Sequence, residues 1–255
     1  MTWTWTSYGA TGNVTGSLHR VGTEDGDILM DCGLFQGKRK ETWDLNRSLP
    51  PDLQRAKALV LSHAHVDHCG RLPLLVKSGW KGPIYCSPPT ADLVMPMMLD
   101  SAHIMENDYK FLKKHRRDVL PPLFTSVDAE AVKPLLRPLS FNQKEKLLGG
   151  ISLTLHRSAH ILGSAMPFIE SASKNLLFTG DLGNHPSYLL KDREIPYGVQ
   201  HLVMESTYGE RTHKPYEETV ENLRMEILRV VDTRGKLIIP SFALERTQHL
   251  IALLN

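Results

Sequence analysis

Short runs of apolar residues, each closed by glycine or a charge, recur through the first two hundred positions of the chain. DILMD (27–31), KALVLS (57–62), PIYCS (83–87), ISLTLH (151–156), AMPFIE (165–170), NLLFTG (175–180) and HLVMES (201–206) have the length and the β-branched or aromatic content of strands. Between PIYCS and ISLTLH the pattern turns helical, from TADLVMPMMLDSAHIMENDYKFLKKHRRD to DAEAVKPLL, with a break at Pro121 and Pro122. Helices on a strand-rich frame predict a layered domain of the α/β (α+β) class. After Glu205 the character changes. YEETVENLRMEILRVVDTRG reads as an amphipathic helix, KLIIPS as a strand and FALERTQHLIALLN as a second helix. The β–α alternation is just beginning at Asn255, so the expectation is a longer reading frame.

Composition narrows the partners. Lys and Arg number 30 against 28 Asp and Glu in 255 residues. A balance so close to neutral gives no global attraction for a polyanion, and any nucleic-acid surface must be local. The three cysteines, Cys32, Cys69 and Cys86, are odd in number and lack CxxC spacing, which fits a reducing, cytoplasmic compartment. The N-terminus has no basic segment leading into an apolar run, and no apolar stretch reaches membrane-span length, so neither secretion nor a membrane partner is expected.

The chemistry concentrates in LSHAHVDHCG, Leu61 to Gly70. The strand KALVLS emerges into a loop there, and several side chains can turn toward one point. His63 and His65, two positions apart, share one side of an extended backbone. Asp67 and His68 serve a neighbouring point as the chain turns into a helix near Gly70. Two overlapping sets imply two metals, and imidazole with carboxylate suits zinc. Four residues cannot complete two shells, so a further histidine and a bridging carboxylate are required downstream. His160 in SAHILGS and Asp181 in FTGDLGN, both at strand-to-loop exits, are the candidates. An isolated HxH is usually solvated; the full hexapeptide at a strand exit carries the reading. His19, His103, His115, His156, His185, His201, His213 and His249 lack that context and read as surface or packing residues. Cys69 reads as a small thiol packed under the loop, with Cys32 and Cys86 likewise structural.

These residues resemble the metallo-β-lactamase fold, whose second motif is HxHxDH, with Asp31 of LMDCG as the first motif, His160 as the third and Asp181 as the fourth. The segments GATGNVTGSLH, DCGLFQG, TGDLGN, ESTYGERTH and GKLIIPSFALERTQHL are similar to the β-CASP nuclease branch, which includes bacterial ribonucleases and the endonuclease of pre-mRNA 3′-end processing. The resemblance covers essentially the whole chain and implies an αββα sandwich over residues 1–208, with an inserted β-CASP cap opening over 209–255. It implies a zinc-dependent ribonuclease that hydrolyses phosphodiester bonds with a metal-activated water. His63, His65 and His160 would hold one zinc, Asp67 and His68 the other, and Asp181 would bridge. Asp67 would also orient the attacking water, Asp31 would fix a ligand histidine from behind, and Glu205 of ESTYG would orient a protonated histidine at the leaving oxygen. The family's motif B and motif C histidines have no counterpart up to Asn255.

Single-stranded RNA is the implied partner, with DNA as a second substrate and a homodimer as an assembly the resemblance leaves open. The run Lys113, Lys114, His115, Arg116 and Arg117 is locally basic, although such runs are more often a solvated helix face. GATGNVTGS reads either as a tight turn between strands or as a set of backbone amides for a phosphate. Two other classes stay in view: a small-molecule metallohydrolase of thioesterase or lactonase type on the same fold, and a non-catalytic RNA-binding or assembly module.

Overall fold

The structure, a computed structural model, describes residues 2–115, 119–184 and 189–255. It divides into two compact units, residues 1–205 and 206–255. In the first, one sheet contains β1 (Thr4–Ser7), β2 (His19–Thr23), β3 (Gly26–Met30), β4 (Ala58–Val60), β5 (Ile84–Cys86) and β6 (Leu136–Pro138), hydrogen-bonded in that order. The hairpins β1–β2 and β2–β3 are antiparallel, and β3 through β6 run parallel. The second sheet is built from β7 (Glu145–Leu148), β8 (Ile151–Arg157), β9 (Ala165–Glu170), β10 (Asn175–Phe178) and β11 (His201–Val203). All seven strands read from the sequence in this unit are present, several of them shorter. β1, β2, β6 and β7, whose residues are more polar or fewer, lay outside that pattern.

Strand alternation explains the layers. Ile28, Met30, Ala58 and Val60 of the first sheet share one buried cluster with Leu153, Leu155, Ile169 and Phe178 of the second, so the core lies between the sheets. Leu29 and Leu59 point the other way and are also fully buried. That is the side of the helices α1 (Arg39–Arg47), α2 (Val66–Cys69), α3 (Leu72–Lys77) and α4 (Pro88–Lys114), because successive right-handed parallel crossovers lie on one face. α5 (Ser126–Glu130), entered through a capping box at Thr125 and Asp128, precedes β6. The α/β class is met. Among the described residues of this unit no α-helix follows α5, and on the outer face of the second sheet Met166, Phe168 and Leu177 are packed by Leu182 and Val199.

The second unit carries α6 (Tyr216–Asp232) and α7 (Arg246–Leu254), both expected. The strand expected at KLIIPS does not form: residues 236–241 are irregular, with Ile238 84% exposed. A strand needs a ladder partner, and among the described residues of this unit there is none. Among the described residues no helix is long and apolar enough to cross a membrane. Arg116, Arg117 and His185 lie outside the described residues.

Candidate metal centre

Four strand ends deliver the site. β3 ends at Met30 and hands on Asp31, β4 leads into Ser62 and His63, β8 into Ser158 and His160, and β10 into Asp181. Parallel β3 and β4, in register with Met30 opposite Val60, release their loops at the same edge, where open sheets commonly place ligands. Two glycines let those loops touch. A Cβ on Gly33 would lie 1.6 Å from Asp67 O, and one on Gly183 would lie 1.7 Å from Ala159 O. The approaches are sealed by backbone bonds from Cys32 N to His68 O at 2.7 Å and from Gly183 N to Ser158 O at 2.9 Å. The His160 turn is held further by Ser164 Oγ, which accepts from the amides of His160 and Ile161. Ser87 and Thr90, at the start of α4, donate their hydroxyls to Gly163 O.

The loops bring His63, His65, His160 and Asp181 to one point. His65 Nδ1 is 3.1 Å from both His63 Nε2 and His160 Nε2, and Asp181 Oδ2 is 3.4 Å from His160 Nε2 and 3.8 Å from His63 Nε2. Metal–nitrogen bonds of about 2.0–2.1 Å in a tetrahedron require ligand atoms roughly 3.3 Å apart, so these edges fit one small ion. The other carboxylate oxygen looks elsewhere: Asp181 Oδ1 is 3.2 Å from His68 Nε2, and Asp67 Oδ2 is 3.9 Å from that same nitrogen. Three donors thus flank a second point. Four of the six sequence-derived candidates form the first cluster, and Asp67 and His68 stand at the second point beside it.

The electrostatics at the first point suit a cation. Burial, reinforced by the neighbouring imidazoles, lowers the pKa of His63 and takes that of His65 to about 4, which keeps both rings neutral with a lone pair to give. Burial opposes charge on His68 as well, but Asp31 and Asp181 on either side hold its pKa well above the usual value. Burial raises Asp67. Burial would also raise Asp181, yet the hydrogen bond from His68 and the surrounding imidazoles keep it below the ordinary carboxylate range.

Asp31 is fully buried with a left-handed φ of 60°, a conformation that costs a non-glycine residue about 1 kcal/mol or more. Its neighbours show what holds it there. Oδ1 accepts from Ser62 N at 2.7 Å; Oδ2 accepts from His68 Nδ1 at 2.7 Å, Ser62 Oγ at 2.9 Å and Ser17 Oγ at 3.0 Å. Ser17 in turn meets His19 Nε2 at 3.3 Å, and His19 Nδ1 meets Ser7 Oγ at 3.0 Å, with Trp5 stacked on the ring. His19 packs as expected; its link to Asp31, and the roles of Ser17 and Ser62, escaped the sequence because lone serines carry no spacing signal. Glu205 accepts from the amide of Leu182 at 3.0 Å, one residue beyond Asp181. Cys69 is buried and donates to Ala64 O, and Cys32 and Cys86 are likewise buried free thiols.

A family model described as the metallo-beta-lactamase superfamily matches residues 13–241. The chain is 34% identical to a ribonuclease of Thermus thermophilus over 97% of its own length and 53% of the relative's. It is 30% identical to a Lokiarchaeum transcription termination factor, over 95% of this chain and 38% of that one. A Gibberella zeae endoribonuclease is 28% identical over 96% of this chain and 29% of its own. The chain therefore spans about half or less of the length of each. Among solved structures, an Enterococcus faecalis protein of unknown function superposes with a TM-score of 0.54 at 17% identity, covering 88% of this chain and 57% of that one, a likeness of fold.

Proposed function

The chain belongs to the metallo-β-lactamase superfamily, and from that membership we propose that it is a zinc-dependent ribonuclease of the β-CASP branch. The observation that carries the reading is the division of labour at Asp181, whose two oxygens face two different donor sets. Such a carboxylate suits a pair of adjacent ions better than one. His63, His65 and His160 would hold the first ion and Asp67 and His68 the second, with Asp181 shared. When bound, the metals supply an acidified water and positive charge for the non-bridging phosphoryl oxygens. Asp67, whose affinity for a proton is raised by burial, would orient that water and take its proton. Asp31 would keep His68 aimed, and Glu205 would steady the Asp181 turn and orient the proton donor for the leaving oxygen. The relatives named as ribonuclease, transcription termination factor and endoribonuclease support RNA as the substrate. The unit from Ser206 onward would begin the β-CASP cap, and the three buried free thiols favour a cytoplasmic setting.

The test is a substrate panel given to the zinc-loaded full-length protein: labelled single-stranded RNA, single-stranded DNA of the same sequence, a thioester and a lactone. Cleavage of RNA above the others supports the proposal. Turnover of the thioester or lactone without RNA cleavage would assign a small-molecule hydrolase instead, and RNA binding without turnover would assign a non-catalytic module.

A further inference from the structure

A carboxylate can only accept hydrogen bonds, and a serine hydroxyl has one proton to give. Ser62 Oγ lies 2.9 Å from Asp31 Oδ2, while its own backbone amide donates to Asp31 Oδ1 at 2.7 Å. The hydroxyl proton therefore goes to Asp31. The lone pairs of Ser62 Oγ then face His63 Nδ1 at 3.0 Å, and that nitrogen must carry its proton to make the contact. The other nitrogen of the ring, His63 Nε2, is the one aimed at His65 Nδ1 and Asp181 Oδ2. A proton on Nε2 would point straight into the donor cluster.

We infer that Ser62 is a positioning residue of the metal centre: its hydroxyl extends Asp31 to a second imidazole, so that one carboxylate fixes the proton of His68 directly and of His63 by relay. The inference rests on the reading of these histidines as metal ligands. His68 Nδ1 is 2.7 Å from Asp31 Oδ2, and the two rings lie with centroids 4.0 Å apart. Each thereby turns Nε2 toward Asp181. The relay is enclosed. Ser62 and His63 are at most 1% exposed, and a Cβ on Gly180 would lie 2.7 Å from Ser62 Cβ, so the glycine leaves the hydroxyl its place. Groups that fix the far nitrogen of a ligand histidine typically contribute 10–100-fold in metal affinity.

The tautomer is read by nitrogen-15 NMR of the histidine side chains in the metal-free full chain, and zinc affinity by competition with a chromophoric chelator. The expected result is an Nδ1–H tautomer for His63 in the unsubstituted chain. In Ser62→Ala, and in the closely sized Ser62→Cys, zinc should bind 10–100-fold more weakly and the His63 tautomer should become mixed. An Nε2–H tautomer in the unsubstituted chain would overturn the inference whether or not the variants fold. So would unchanged tautomer and affinity in both variants. Neither readout uses RNA, so a chain that shows the Ser62 effect but leaves RNA intact would refute the ribonuclease proposal alone.

Discussion

Asp31 Oδ2 stands 2.7 Å from His68 Nδ1, and that contact turns the opposite nitrogen of the ring toward Asp181, 3.2 Å away. The histidine is held between a fully buried carboxylate behind it and one that faces the donor cluster. Replacing Asp31 by asparagine keeps the shape but substitutes an amide for one of the two accepting oxygens. Asp31→Asn should weaken zinc binding on the order of 10–100-fold, measured by chelator competition, while far-UV circular dichroism stays unchanged.

Removing the shared carboxylate should act on stoichiometry. Asp181→Ala deletes both the oxygen near His63 and His160 and the one near His68. Elemental analysis after dialysis against zinc should give two ions per unsubstituted chain and no more than one in the variant. An unchanged count of two would show that Asp181 does not bridge.

The loop crossing at Gly33 leaves no room for a side chain, since a Cβ would meet Asp67 O at 1.6 Å. Gly33→Ala should push apart the segments that carry Asp31 and Asp67. A loss of at least about 2 kcal/mol in unfolding free energy is expected in a denaturant titration of the metal-free chain, together with weaker zinc binding by chelator competition.

Buried His19 has its pKa lowered to about 4, first by burial. Unfolding returns it to about 6.5, so the unfolded chain binds the extra proton between those values and stability falls as pH drops through that window. At pH 7 the full contribution is present, at most about 3 kcal/mol. His19→Gln should flatten the pH dependence of the melting temperature between pH 6.5 and 4. An equally steep fall in the variant would place the acid sensitivity elsewhere.

The strands with continuous apolar runs were legible because both faces of β3, β4 and β8–β10 are buried, as were α4 and α6 through their periodicity. Short β6 and polar β1 carry too few apolar residues to declare themselves. KLIIPS shows the converse limit, since an apolar pattern marks a surface that wants cover and a strand exists only where a partner pairs with it. At the site, histidine and aspartate spacing pointed to the six clustered side chains because metal ligands are chemically rare. The supports were silent. Ser17, Ser62 and Ser164 act through single hydroxyls whose partners lie up to dozens of residues away, and nothing local distinguishes them from surface serines. Asp31 read as a strand-end carboxylate that fixes a ligand histidine, and its left-handed backbone turns it inward to Ser62 and His68.

The central claim is that the cluster at the ends of β4, β8 and β10 hydrolyses RNA through bound metal. The most direct measurement is cleavage of an end-labelled single-stranded RNA by the zinc-loaded full-length protein, beside the chelated protein and the zinc-loaded His63→Ala variant. Cleavage that appears with zinc, disappears with chelation and is lost by at least about 10²-fold in the variant is the predicted result. Cleavage that survives both chelation and the loss of His63 would contradict the claim.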